Sequence, residues 1–326
     1  MIYYIQLTLQ GIAYFLFCND KSWQKKQDPA SFFDENKTIT RKTIIFVRHG
    51  ESTWNDTFNK GAHRSGFLFA IGFLPGLVKA IMYEFYLTFL INRIDSWFYD
   101  SPLSVLGLNQ VEDLAKYINQ DPNDPNSSLN PEENQLLRVI RADADSPPSV
   151  LVSSSLRRSI STVVAAFQDR LRRTEEAILI LPSLQEISRN PDTLSITPAR
   201  TTVVPSWIDE SYDKCDLGAI FSKQLDMKYH IGNKPIDTNG YKRMKEFCHV
   251  VFSTLNEEYV IVGGHSIWFR SFFKEFLPRD STHIGKKKKI VNCGAVAFDL
   301  CRTKGDGMEQ FMIDERTIRV VYGGFK

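Results

Sequence analysis

The chain has 326 residues and a formal net charge of +2, with 43% hydrophobic and 24% charged residues. This composition is sufficient for a sizeable core, and α/β folds of comparable size often form one domain. The small net charge gives no general attraction to nucleic acid, and the sequence lacks helix-turn-helix or zinc-finger spacing. We therefore predict no nucleic-acid binding.

The cysteines and histidines exclude two further kinds of chemistry. The five cysteines are odd in number and scattered, which favours a reducing compartment and predicts a cytoplasmic location. None of them is followed six positions later by an arginine, as the phosphate loop of a cysteine phosphatase requires. The six histidines show no HExxH or paired metal spacing, so we predict no metal and no cofactor.

The N-terminal part, residues 1–42, is predicted to be an apolar segment followed by a polar linker. Residues 1–18 carry no charge, and Lys21, Lys25 and Lys26 follow them. The apolar length is marginal for a membrane span, and a signal peptide normally carries its positive charge before the apolar region. The alternatives are an anchor or signal, or an extra helix or strand packed on the domain.

A predicted strand, Thr43 to Val47, runs directly into Arg48, His49 and Gly50. Gly50 permits a turn, and Ser52 is suited to cap a helix through Asn55. The loop then lies at the carboxyl end of a strand, where open α/β sheets build ligand sites. Neutral imidazole can attack phosphorus, and a neighbouring guanidinium can bind phosphate oxygens.

Three more predicted strands end in residues that can contact phosphate. They are Val150 to Val152, followed by Arg158; Ala177 to Leu181, followed by Glu186; and Tyr259 to Val262, followed by His265. A helix that opens after the first of these places Arg158 and Thr162 on one face.

An apolar insertion occupies residues 56–99, and its stretch 66–91 carries only Lys79 and Glu84 as charges. This stretch is long enough to span a bilayer, although we expect a break at Pro75. A single crossing would place His49 and Arg158 on opposite sides of the membrane, so we predict no crossing. The alternatives are a helical cap packed on the core, contact with a membrane surface, and a protein interface.

The remaining elements complete an alternating α/β pattern. Helices are predicted over Leu106 to Ile118, Glu132 to Ala142 and Tyr241 to Leu255, and strands over Ile290 to Leu300 and Ile318 to Tyr322. Residues 187–240 lack a clear period and are predicted to form a lid or specificity region. Lys286 to Lys289 is predicted to be a solvated turn, with a phosphate clamp as the alternative.

Taken together, these motifs resemble the histidine phosphatase superfamily, also called phosphoglycerate mutase-like. The resemblance covers residues 43–58 and 95–325 and depends on Arg48 to Glu51, Asn55, Asp100 to Ser104 with Gly107 and Gln110, Ser154 to Thr162, Glu186, and Gly264 with His265. It implies a three-layer α/β/α fold with a mostly parallel central sheet, in a catalytic domain over residues 43–326.

The resemblance implies a metal-independent phosphomonoester hydrolase in which His49 carries a phosphohistidine. Glu186 is the implied general acid, and His265 belongs to the catalytic set. Arg48, Ser52, Asn55 and Arg158 are the implied substrate-binding residues. The expected substrate is a small phosphorylated metabolite or a phosphoprotein.

Two alternatives remain. One is a phosphoglycerate-type phosphomutase, but the residues after Glu186, from Ile187 to Asp192, do not match the Glu-Arg-His-Tyr-Gly stretch of such mutases. The other is a membrane-surface or scaffold protein on the same fold, with contact through 66–91 or the N-terminus.

Overall fold

The computed structural model describes residues 2–23, 38–60, 64–91, 95–121, 129–206, 217–305 and 308–326. The strands are β1 Ile39–Arg48, β2 Ser149–Ser154, β3 Ile178–Leu181, β4 Leu225–Asp226, β5 Tyr259–Gly264, β6 Ala295–Gly305 and β7 Met308–Tyr322. The helices are α1 Ile2–Phe17, α2 Thr53–Phe58, α3 Gly66–Phe85, α4 Val105–Ile118, α5 Pro131–Arg141, α6 Arg157–Ala166, α7 Gln168–Thr174, α8 Gly218–Lys223, α9 Gly240–Ser253 and α10 Ser266–Phe276.

The seven strands form one sheet in the order β4-β3-β2-β5-β1-β6-β7. The first five strands in this order pair in parallel, whereas β6 runs antiparallel to β1 and β7 antiparallel to β6. The sheet is therefore mostly parallel, as predicted. Its order brings the carboxyl ends of β1, β2 and β5 to one place, because β5 lies between the other two.

Helices cover both faces of this sheet. Alternate residues of β1 point to opposite sides, so that Ile44 and Phe46 enter one core and Ile45 and Val47 the other. The first core contains side chains of α9 and α10, and the second contains side chains of α4, α5 and α6. This arrangement confirms the predicted three-layer α/β/α fold.

The last two strands differ from their predicted bounds. The strand predicted from Ile290 begins at Ala295, because the chain turns at Cys293, whose φ of 55° lies in the left-handed region. The strand predicted from Ile318 begins at Met308 and extends through the pairing with β6.

The insertion contains a longer and more exposed helix than the sequence predicts. Helix α3 continues through Pro75, where we expected a break, and passes into a π-helical turn over Tyr86–Ile91. By length and composition it is apolar enough to cross a membrane, yet only 6% of its most apolar window is buried. This exposure does not fit the cap packed on the core, which is one of the three alternatives for the insertion. Residues 61–63 and 92–94 of the insertion lie outside the described residues.

The N-terminal segment packs against the rest of the fold through one face of α1 and through Asp20. The Asp20 carboxylate is buried and accepts hydrogen bonds from Lys234 Nζ at 2.5 Å and Arg243 Nη2 at 2.5 Å. Lys234 Nζ also donates to the carbonyls of Glu186 and Ser188, at 2.6 and 2.7 Å. Asp20 therefore supports the loop that carries Glu186. The division of the chain at residue 42 stays a prediction, because residues 24–37 lie outside the described part.

Replacing Asp20→Asn should destabilise the fold strongly. Two buried cations would lose their carboxylate, and removal of one partner of a buried ion pair costs about 3–5 kcal/mol. Urea unfolding of the variant should show this loss. Glu112→Gln, which breaks an exposed pair with Lys116 at 3.1 Å, is the matched control and should cost less than about 1 kcal/mol. Equal small losses in both variants would contradict the role of Asp20.

Candidate active site

A cavity of about 660 Å³ opens at the carboxyl ends of the central strands. Its wall combines cations, carboxylates and amides from segments far apart in the sequence. They include Arg48, His49, Asn55, Arg158, Glu186, Asp192, Lys289 and Lys326. Of the predicted site residues, five line this cavity: Arg48, His49, Asn55, Arg158 and Glu186.

His49 is held in one tautomer. It directly follows β1, its backbone N–H donates to the Gly264 carbonyl at 3.0 Å, and its ring is buried. Ring Nδ1 lies 2.5 Å from the Gly50 carbonyl, which can only accept, so Nδ1 carries the proton. Ring Nε2 is then unprotonated and can only accept a hydrogen bond. Burial and the charges of Arg158 and Arg48 hold the pKa of His49 well below its usual value and keep the ring neutral.

Two buried guanidinium groups flank this imidazole. Arg158 Nε donates to His49 Nε2 at 3.3 Å, and Arg158 Nη1 donates to the Asp192 carbonyl at 2.6 Å. Arg48 Nη1 donates to the Ile290 carbonyl at 2.7 Å, and its Nε has no partner among the described residues. Burial lowers the pKa of Arg48 to about 10, which still leaves it charged at neutral pH. The pocket is thus poised for an anion.

His265 lies next to the predicted nucleophile. The two imidazole centroids are 5.0 Å apart, and His265 Nε2 lies 2.8 Å from the Ser154 hydroxyl. Its Nδ1 is buried and has no hydrogen-bond partner in the described part of the chain. Burial, with Arg158 nearby, keeps the pKa of His265 well below its ordinary value. The sequence order after β5 correctly predicts this closeness.

Two glycines allow the His49 loop to lie directly against α4. A Cβ on Gly107 would meet the Glu51 carbonyl oxygen at 2.0 Å, and one on Gly50 would meet the Gly107 carbonyl oxygen at 2.7 Å. The Gly50 N–H also donates to the Thr162 hydroxyl at 3.1 Å, and that hydroxyl donates to the Arg158 carbonyl at 2.8 Å. Thr162 therefore ties the His49 loop to the helix of Arg158.

Ser52 and Asn55 have different positions. Ser52 is fully buried, and its hydroxyl accepts the Asn55 N–H at 3.2 Å, which confirms the predicted helix cap. The cavity wall in this segment consists of Trp54, Asn55 and Asn59. The structure therefore gives Ser52 a capping contact, and its substrate-binding role stays a prediction.

The Glu186 carboxylate sits at the N-terminus of α10. It accepts backbone N–H groups of Ile187 at 2.9 Å, Trp268 at 2.8 Å and Ile267 at 3.2 Å. These contacts occupy acceptor positions on both carboxylate oxygens and hold the group in the cavity wall.

Asp192 is a second carboxylate in the cavity wall, and no sequence motif predicted it. Its Oδ2 lies 3.4 Å from Arg158 Nη2, and its Oδ1 is buried without a hydrogen-bond partner among the described residues. Burial raises the pKa of Asp192 to about 6, against the opposing charge of Arg158. Its position after Pro191 gave no motif, so only the folded loop places it beside Arg158.

Two of the four lysines in the run 286–289 do not lie in a solvated turn. Lys289 lines the cavity instead of lying in a solvated turn, and it pairs through its backbone with Lys326. Burial lowers the pKa of both lysines. Lys286 is buried, and its Nζ donates to the carbonyls of Pro278 and Ser281, both at 2.9 Å. The cavity rim therefore carries cations that the charge pattern alone did not identify.

The predicted lid region contributes one wall of the cavity. Ser188, Asn190, Asp192 and Thr193 line it, whereas residues 207–216 of the same region lie outside the described part. Among the described residues, no three His, Cys, Asp or Glu side chains form a group that could hold a metal ion.

Comparisons with known proteins return no matching family model and no matching curated protein. Solved structures do show similarity. A structure named mycobacterial hydrolase 1 is 14% identical over 84% of this chain and 97% of that one, with a TM-score of 0.37. Mycobacterial glucosyl-3-phosphoglycerate phosphatase with VO3 is 16% identical over 84% and 97%, with a TM-score of 0.36. An Escherichia coli protein named as a candidate alpha-ribazole-5'-P phosphatase is 10% identical over 83% of this chain and 95% of that one, with a TM-score of 0.37.

Replacing Gly107→Ala should displace the His49 loop, because the new methyl group would overlap the Glu51 carbonyl. We expect a stability loss of about 1–3 kcal/mol and weaker binding of vanadate, an analogue of a five-coordinate phosphoryl group. Gly72→Ala in α3 is the control, since nothing lies within 4 Å of its Cβ position. Unchanged vanadate affinity in Gly107→Ala would show that the loop tolerates the displacement.

Proposed function

We propose that the chain is a histidine phosphatase-like phosphomonoester hydrolase. The observation that carries this proposal is the neutral His49 ring, whose unprotonated Nε2 accepts a hydrogen bond from Arg158 Nε at 3.3 Å with Arg48 alongside. A phosphoryl group placed between them would meet a nucleophile and two preorganised cations. Such cations stabilise the charge that spreads over phosphoryl oxygens in the transition state.

The reaction proceeds in two displacements at phosphorus. In the first, the Nε2 lone pair forms an N–P bond, the P–O ester bond breaks, and the leaving oxygen takes a proton from a carboxyl group. In the second, a water oxygen forms a bond to phosphorus while the N–P bond breaks, and the carboxylate takes the proton of the water. Asn55, Arg48, Arg158 and His265 bind phosphoryl oxygens through both steps.

Two carboxyl groups compete for the role of proton donor. Glu186 is the donor that the resemblance implies, but its two oxygens already accept three backbone N–H groups. Asp192 has the pKa of about 6 and the unpartnered oxygen that a donor near neutral pH requires. We therefore assign Asp192 as the donor to the leaving oxygen and keep Glu186 as the alternative.

The arginine pair takes the electrostatic role that a divalent metal has in other phosphatases, so the proposed reaction needs no metal. Phosphorylated metabolites and phosphoproteins are the proposed substrate classes, in the cytoplasm. The phosphomutase alternative would need a second anion site, and its diagnostic is transfer between two positions of phosphoglycerate without net release of phosphate.

Replacing His49→Ala should abolish phosphate release from p-nitrophenyl phosphate, with a drop of about 10⁴-fold or more. The wild-type protein should form an alkali-stable, acid-labile phosphoprotein that the variant lacks, and EDTA should change neither. His63→Ala, in the same segment of the sequence, is the control. Full turnover by folded His49→Ala protein would exclude this mechanism.

Asp192→Asn and Glu186→Gln separate the two candidate donors. Loss of the donor should slow hydrolysis of alkyl phosphates by about 10²–10⁴-fold, while aryl phosphates with good leaving groups keep most of their rate. The donor must be protonated, so wild-type kcat/KM for alkyl phosphates should fall above pH 6, near the pKa of Asp192. Protonation of His49 should lower kcat/KM only well below pH 6.5, because the pKa of His49 is lowered. If Glu186→Gln, and not Asp192→Asn, loses activity on alkyl phosphates while it keeps activity on aryl phosphates, Glu186 is the donor.

A further inference from the structure

Helix α3 is fastened to the domain at both of its ends. Close to its start, Arg64 Nη2 donates to the carbonyls of Asp56 at 2.6 Å and Asn59 at 2.8 Å. Near its other end, Glu84 Oε1 accepts the backbone N–H groups of Trp97 at 2.7 Å and Phe98 at 3.0 Å. These contacts tie the residue just before the helix and the last turn of the helix to neighbouring segments, so the domain holds both ends of the helix.

The exposed surface of this helix is largely apolar. Of its two charged side chains, Glu84 is bound as above, and Lys79 is exposed with its Nζ 5.4 Å from the Trp97 ring centroid. Eight large apolar side chains are more than half exposed, namely Phe67, Leu68, Ile71, Leu74, Val78, Ile81, Met82 and Phe85. Soluble proteins seldom leave so large an apolar surface uncovered, which indicates that something covers it.

Helix α1 presents a second apolar surface. Its inner side packs through Leu7, Gly11 and Tyr14, with Gly11 against the Tyr99 ring, close in sequence to the Glu84 contacts. Its outer side exposes Ile5, Leu9, Ile12, Phe15, Leu16 and Phe17. We call the exposed side chains of α1 and α3 together the apolar surface.

The covering partner must enclose a helix, not merely touch one side of it. From Gly66 to Pro75 every residue except Phe69 is exposed, so the first turns of α3 are apolar around almost the whole circumference. A second folded chain would cover one side of such a helix. The hydrocarbon boundary of a bilayer surrounds it, and in-plane helices are typically immersed about 5–10 Å there.

An aromatic ladder connects the apolar surface to the cavity. Trp54 lines the cavity, and its ring lies 4.4 Å from that of Phe58. The Phe58 ring lies 6.2 Å from Phe73 on α3, and Phe73 lies 6.1 Å from Phe69. A hydrophobic chain attached to a phosphate in the cavity would therefore find a continuous apolar path to the membrane.

We propose that the apolar surface lies in one face of a membrane and that the substrate is a lipid phosphate monoester. Its phosphate enters the cavity while its apolar tail follows Trp54, Phe58 and Phe73 to the bilayer. This inference rests on the proposed phosphatase function. It adds the substrate class, and it explains why the apolar helix is inserted directly after the loop of the nucleophile.

The test compares the full wild-type chain with Ile71→Glu/Leu74→Glu and with Ile231→Glu, an equally exposed control outside α1 and α3. The probes are phosphatidylcholine vesicles containing phosphatidic acid, and p-nitrophenyl phosphate in solution. The wild type and the control should float with vesicles and release phosphate from them. The double variant should lose at least about tenfold in both measurements, because each buried carboxylate opposes insertion, while its rate with p-nitrophenyl phosphate stays unchanged.

Several results would overturn the proposal, and they differ from failure of the phosphatase function. The wild-type protein can hydrolyse p-nitrophenyl phosphate and yet fail to float with vesicles, or float but leave phosphatidic acid intact. Either result overturns the lipid substrate and leaves the phosphatase function standing. A stable dimer that Ile71→Glu/Leu74→Glu dissociates assigns the apolar surface to a second copy. Absence of turnover with every phosphate removes the phosphatase function itself.

A separate experiment tests whether the aromatic ladder contacts the apolar chain of the substrate. Phe73→Ala should raise KM for long-chain lipid phosphates in detergent micelles about tenfold relative to short-chain analogues, because it shortens the apolar path. Equal KM changes for both chain lengths would remove the ladder from the substrate path.

Discussion

The candidate active site depends on the burial of two guanidinium groups around one neutral imidazole. Burial of a charge is unfavourable unless partners compensate it, and Arg48 and Arg158 are compensated mainly by backbone carbonyls and by Asp192. An anion between them would relieve this cost. The same charges also keep His49 unprotonated, so the arginine pair that would attract an anion also sets the protonation state of the imidazole.

The surrounding structure keeps these groups at their positions. Glycines at 50 and 107 let the His49 loop approach α4, and Thr162 joins that loop to the helix of Arg158. On the opposite wall, the buried Asp20 holds Lys234 and Arg243 at the base of the Glu186 loop. The N-terminal segment thus contributes to the geometry of a site from which it is distant in sequence.

The apolar surface and the candidate site are parts of one arrangement. Helix α2 carries Trp54 and Asn55 on the cavity wall and Phe58 toward α3, so the same short helix faces both. A membrane lipid would bring its phosphate and its tail to the two ends of this helix. The exposed helix then follows from the proposed chemistry and needs no separate function.

The sequence by itself determined the layered α/β fold and the closeness of most of the predicted site residues, including His49, Arg158 and His265. These signals are local, because apolar strands and the polar residues after them are adjacent in the chain, and parallel strands bring their carboxyl ends together. Only the tertiary structure decided the places of Asp192 and Lys289, the capping contact of Ser52, and the support from Asp20. It also decided that α3 is exposed, which the alternatives for the insertion had left open. Burial, pKa and contact all depend on neighbours distant in sequence, and a linear pattern does not contain them.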